Sequence, residues 1–228
     1  MVCGEPLVYL TQAEALPCNL CGESSEALIK CPNSHHVCDG CHNAEATRHI
    51  QRVCEQSAAA NPLDIYQEVV QLTSLPMLGC HHAHAAGLAC FTAIKNHGAR
   101  EIHDTDFSEL RDRTKRQAVG GYCGLTGVCG IVPALGACFA ILLGSKCGTD
   151  REQRITMTVV ASITSALAEL TGPSCCQAYA RKALEIACGF LEEHIGITLP
   201  PAQHTMRCHD SHRHPHGCRE NRCPYHWA

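Results

Sequence analysis

The run GIVPALGACFAILLG, residues 130–144, is apolar enough either to enter a bilayer or to lie at the centre of a helical bundle. It belongs to a longer stretch, residues 117–145, that carries no charged side chain. That is enough chain to span hydrocarbon. Seven glycines, Pro133 and the cysteines Cys123, Cys129 and Cys138 interrupt it, however. Glycine-rich backbone is poorly suited to lipid, where every N–H and C=O must be satisfied within the segment. Gly127, Gly130, Ala134 and Ala137 recur at spacings of three and four, which places small residues on one helical face and lets another backbone approach closely. The stretch is expected to be a buried helix, with no membrane span.

Helical signals flank it on both sides. Asn61-Pro62 is an N-cap followed by proline at the first helical position, and Leu63, Tyr66, Val69 and Val70 then mark one face. A second helix is expected over residues 81–97 with Gly98 as its stop, and a third after Asp104 with Phe107 and Leu110 inward. The apolar helix should begin near Thr126 and end at Gly144. A Thr149–Glu152 capping box opens a fifth, closed at Gly172-Pro173, and Ser174 caps a sixth that stops at Gly196. No segment shows sustained alternation of polar and apolar residues. The expected fold is mainly α: a helical bundle core over residues 60–196, preceded by a zinc-knuckle or ribbon module over residues 1–56 and followed by an irregular Cys/His-rich tail over residues 197–228, packed on the core.

The 228 residues are 45% hydrophobic but only 4% aromatic, so the core must be aliphatic. The formal net charge of −4 excludes a nucleic-acid binder that works by phosphate neutralisation. The outliers are 19 Cys and 16 His. The opening residues MVCGEPLVYL have no basic n-region and no long apolar h-region, so no signal peptide is expected. A cytoplasmic location, reduced thiols and metal ligation are then the default.

Cys18-x2-Cys21 followed by Cys38-x2-Cys41 brings four thiolates to one tetrahedral point, the pattern of a structural zinc site; a rubredoxin-like iron is the rival, because both metals accept four thiolates. The order Cys18-Cys21-Cys31-His35-Cys38-Cys41 resembles the first part of a RING finger, but only Cys54 follows where a further CxxC pair is needed. Cys3, Cys31 and His36 are instead candidates for a second metal site. In CHHAH, residues 80–84, His81 and His84 share a helical face and His82 points elsewhere; acid–base or metal contact and a structural role both stay open. GGYCGLTGVCG presents Cys123 and Cys129 at the entry to the apolar helix, and GPSCC places Cys175 and Cys176 in the first turn of another, where free N–H groups and the dipole favour thiolate. Cys138, Cys147 and Cys188 fall at core spacing and read as small hydrophobes. In the tail, Cys208, Cys218 and Cys223-Pro224 have ligand-like spacing, and proline directly after a cluster cysteine is a feature of ferredoxin loops. His209, His212, His214 and His216 are less specific. The tail is expected to fold back and bring its thiols beside Cys123, Cys129, Cys175 and Cys176.

GGYCGLTGVCG, the small-residue helix and GPSCC resemble the redox-active family named for its C_GCAxxG_C_C pattern. They resemble more closely a family of uncharacterised cysteine-rich domains from anaerobic bacteria and archaea. That family also shows an HVCDxCH knuckle, here His36–His42, a paired His-His, here His81-His82, and a C-terminal cluster ending in Cys-Pro, here Cys218 with Cys223-Pro224. Some of its members are fused to methyltransferases that use S-adenosylmethionine, whose glycine-rich signature is absent here. The resemblance implies a redox or metal role and names no substrate.

These readings lead to a metal-binding redox protein with structural Zn2+ and an iron–sulfur cluster of the 4Fe-4S kind. Electron transfer, sulfur transfer or cluster-assisted chemistry on a small-molecule substrate would fit, with His81, His82 and Cys176 as contacts to the reacting species. A redox partner protein or a homodimer is compatible with this. The alternatives are a cluster-free thiol/disulfide enzyme and a non-enzymatic metal-trafficking or scaffold protein.

Overall fold

The computed structural model describes residue 3, residues 5–72 and residues 75–227. Its helices are α1 (Asp39–Gln56), α2 (Pro62–Val70), α3 (His81–His97), α4 (Asp104–Gln117), α5 (Tyr122–Thr126), α6 (Ile131–Leu143), α7 (Arg151–Ala168) and α8 (Cys176–Phe190). Helix α3 is the axis of the bundle. Every residue from His81 to Ile94 except His84 is buried, because α1, α2, α4, α6 and α8 all pack on it. Its alanines and Gly87 leave room for that; Leu110 of α4 rests 3.5 Å from where a Gly87 Cβ would stand.

The apolar run forms α6, wedged between α3, α4, α7 and α8. On the small-residue face a Cβ on Gly130 would meet Ala118 Cα at 2.9 Å, whereas Gly127 has open space around it; off that face, a Cβ on Gly136 would meet Val160 of α7 at 2.7 Å. Among the described residues no helix is long and apolar enough to cross a membrane. Helix α6 starts later than its sequence suggests. Gly121 and Gly127, at φ of 73° and 76°, bracket the single turn of α5 and interrupt the helix before Gly130.

The caps follow the sequence in part. Asn61 Oδ1 accepts from the Leu63 N–H and Gly98 closes α3 in the left-handed region. Thr149 does not cap α7: its hydroxyl closes a turn with Lys146, and Asp150 takes the N-cap position. Cys175 rather than Ser174 precedes α8. That helix runs through a π-helical turn, Leu191–Ile195, to a left-handed Gly196.

The N-terminal module contains regular structure that its sequence does not announce. β1 (Val8–Pro17) and β2 (Ser24–Lys30) form an antiparallel hairpin, with Val8 opposite Lys30 and Pro17 opposite Ser24. Much of β1 is exposed on both faces, and the pairing is irregular between Tyr9 and Glu14, so no period of two is imposed on the sequence. Helix α1 then starts within the second knuckle and carries Ala46, Ile50 and Cys54, one turn apart, into the main core.

The tail lies against the bundle. Asn61 donates to the Pro200 carbonyl at 2.7 Å, and the Asp64 carboxylate accepts from the Gln203 and His204 N–H groups. Beyond these anchors Cys208 and Tyr225 join Met77, Cys175 and Ala178 in a second, smaller buried cluster.

Candidate metal centres

The hairpin turn and the start of α1 bring Cys18, Cys21, Cys38 and Cys41 together, with all four Sγ atoms within 4.8 Å of one another. Zinc–thiolate bonds of about 2.3 Å in a tetrahedron put sulfurs about 3.8 Å apart. Cys21 and Cys38 Sγ are separated by 3.9 Å. Cys18 Sγ accepts from the Leu20 and Cys38 N–H groups, both at 3.4 Å, and Cys38 Sγ from Cys41 at 3.5 Å. Backbone donors from Cys21 and Cys38 pull the Cys18 thiol down to about 6. Its neighbours Cys21 and Cys38 push Cys41 up to about 12. Four thiols packed this closely cannot all ionise without a cation among them, and the group could hold a metal ion.

A second group is Cys3, Cys31 and His35, whose ligand atoms also lie within 4.8 Å of one another. His36, expected beside Cys31, faces the other way: its Nε2 is 3.0 Å from Ser25 Oγ and its backbone pairs with Asn19. Ser34, between Cys31 and the two histidines, has a φ of 60°.

The seven candidate ligand thiols of the bundle and tail divide into two sets. Cys175 at the start of α8 lines a narrow cavity with Cys208, Cys218 and Cys223 of the tail. Arg181, Arg219 and His214 line it too. Arg181 and Arg219 are 1% and 4% exposed, and Arg181 Nε with Arg219 Nε and Nη1 have no hydrogen-bond partner among the described residues. Burial, with Cys208 and Cys223 nearby, raises the Cys175 thiol. Cys123, Cys129 and Cys176 do not line this cavity. Cys123 and Cys129 lie near both Cys80 and Cys176 instead. Burial raises Cys176 and pushes Cys129 to about 11 and Cys80 to about 12, and Cys123 and Cys129 add to the effect on both Cys80 and Cys176.

The paired histidines are buried brackets. His82 Nδ1 is 2.7 Å from the Tyr66 hydroxyl and its Nε2 lies 3.2 Å from the Pro76 carbonyl; His81 sits between Asn43 Oδ1 and the same carbonyl, at 3.1 and 3.0 Å. Burial holds His81 down at about 4 and His82 well below the ordinary range. Both rings tie α1, α2 and α3 to the loop at Pro76, which supports the structural one of the two roles left open for them. Arg181 and Arg219 are the site residues that sequence reasoning passed over. Arg181 had a signal: with Gln177 it forms a polar stripe, one turn apart, on the otherwise apolar face of Ala180, Ala183, Leu184 and Ala187.

Residues 50–226 match the family of unknown function DUF5714. No curated protein and no solved structure matches the chain.

Proposed function

The chain belongs to the DUF5714 family, a family of unknown function, and from the arrangement of its thiols we propose that it is a metal-binding redox protein. In this reading the knuckle of Cys18, Cys21, Cys38 and Cys41 holds structural zinc, and the cavity beside α8 holds an iron–sulfur cluster through Cys175, Cys208, Cys218 and Cys223. The observation that carries the proposal is the pairing of four thiols with two buried guanidiniums around one cavity. Among the described residues no three of these ligands fall within 4.8 Å of one another, in contrast to the knuckle. That spread suits a multi-iron cluster better than a single tetrahedral ion. A cluster held by thiolates is anionic, and the unpartnered N–H groups of Arg181 and Arg219 are donors waiting for an anion.

Bound there, the cluster would supply one-electron chemistry, in electron or sulfur transfer. The protein's part is to hold the thiolates on a helix start and a folded tail, to offset their charge with two arginines, and to exclude water with Met77, Ala178 and Tyr225. The test is anaerobic purification with iron and acid-labile sulfide analysis. Wild-type protein should be brown, Cys208→Ala or Cys223→Ala should lose iron, and Cys138→Ala, buried against Gly87, should lose stability but keep it. Full iron and sulfide in the cavity variants, or a colourless wild type after reconstitution, defeats the reading.

A further inference from the structure

Cys3, Cys31 and His35 belong neither to the knuckle nor to the cavity. We propose that they hold a second zinc ion, interlocked with the first because the ligands of the two sites alternate along the chain. The proposal rests on the knuckle being a zinc site.

Geometry comes first. Cys3 Sγ is 3.5 Å from Cys31 Sγ, and Cys31 Sγ is 3.3 Å from His35 Nδ1. Tetrahedral zinc with sulfur at about 2.3 Å and nitrogen at about 2.0 Å separates such atoms by about 3.8 and about 3.5 Å. The three groups need to open by only a few tenths of an ångström to receive the ion. Two thiolates and one imidazole are a zinc donor set. The described residues supply three ligands, which leaves a position for water and makes this the more exchangeable of the two sites.

The alternation gives the second site its purpose. Read along the chain, Cys3 belongs to the second site, Cys18 and Cys21 to the first, Cys31 and His35 to the second, Cys38 and Cys41 to the first. Neither ion can be held without fixing segments that also carry the other's ligands. The sites also mark opposite ends of the hairpin. Cys18 and Cys21 flank its turn, while Cys31 directly follows Lys30, the last paired residue of β2. A two-stranded hairpin with little buried surface is marginal alone. A metal at each end contributes the missing folding free energy. His36 joins the two ends mechanically: Asn19 beside Cys18 donates to the His36 carbonyl at 2.8 Å and accepts from its N–H at 2.9 Å. The adjacent histidines thus have separate roles, one ligating and the other bracing.

The test uses the full chain, purified anaerobically under reducing conditions, with zinc released to a metal-binding dye and cobalt(II) as a spectroscopic probe. Wild type should release about two equivalents of zinc in two phases. His35→Ala and Cys31→Ser should lose the fast phase. His35→Cys should regain it, slowed, and raise the cobalt–thiolate charge-transfer band. Cys38→Ser should lose the slow phase and accelerate what remains, because the sites interlock. Iron content, which reports the cavity at α8, should be the same in the His35 variants and wild type, so failure here is separable from failure of the cluster reading. A single phase that His35→Ala leaves unchanged, or a Cys3–Cys31 disulfide in the reduced preparation, overturns the second site.

Discussion

Arg181 is 1% exposed and lies between the rings of Tyr66 and Tyr225, at 5.7 and 5.8 Å from their centroids. Its terminal nitrogens donate to Gln177 and Gln67, both at 3.1 Å, while Nε is unpartnered. A buried cation with a spare donor beside four thiols should favour the more negative state of whatever they hold. Arg181→Met removes the charge at similar volume, and replacing buried charge by apolar bulk is often tolerated. The variant should fold and bind iron, but its cluster should have a lower midpoint potential, because reduction adds negative charge that the arginine no longer offsets. A redox titration giving an unchanged or higher potential would remove Arg181 from this role. At this scale the sequence was informative about residue type and poor about direction. The four knuckle cysteines are legible because their spacing is itself the geometry. His35 and His36 are adjacent and identical in type, so nothing local in the sequence tells which one meets Cys31 and which meets Ser25.

Some helix boundaries were legible from glycine and proline, but α7 stops at Ala168 rather than at Gly172-Pro173, and glycines delay the start of α6. Pro62 at the start of α2 and the glycines after α3, α6 and the turn beyond α8 all act as their sequence suggests. The hairpin was not legible, since strands with little buried surface leave no apolar alternation to read. The front of α1 was hidden for another reason: Cys38 and Cys41 occupy its cap and first turn as ligand positions, so its core stripe begins only at Ala46. The small residues of the α5–α6 connection were read as a packing face, and their geometry can be tested. A Cβ on Gly130 would stand 2.9 Å from the Cα and Cβ of Ala118, which is backbone that must shift. Gly130→Ala should therefore cost about 1–3 kcal/mol. It should also disturb the segment holding Cys123 and Cys129. Gly124→Ala, in the same segment with nothing within 4 Å of its Cβ, should be close to neutral. Thermal unfolding compares the pair; equal melting temperatures would show that the connection is not tightly packed.

Across the whole molecule, the tail is as much a part of the bundle as the helices it covers. By sequence it looks removable, because residues 202–228 carry no helical stripe. In the structure they contribute Cys208, Arg219 and Tyr225 to buried positions. The Arg213 guanidinium donates to the Leu75 carbonyl, and the Tyr225 hydroxyl to Glu185 at 2.9 Å. Tyr225 also covers one face of Arg181. Deleting the chain after Pro201 thus removes three of the four cavity thiols and uncovers a buried arginine at once. The helices of the main core lie elsewhere, around α3 and α6, and of the deleted residues Ala202 and Met206 pack against that core. The truncated protein should keep most of its helical circular dichroism and its zinc. It should lose iron, sulfide and visible absorbance completely, and melt at a lower temperature than Cys208→Ala, which loses the same cluster but keeps Tyr225, Arg213 and Arg219 in place. That ordering separates the two functions of the tail. If truncation and Cys208→Ala melt together, the tail contributes ligands but no packing. If the truncated chain keeps its iron, the cavity thiols are not the ligands, and the cluster must be sought among Cys80, Cys123, Cys129 and Cys176.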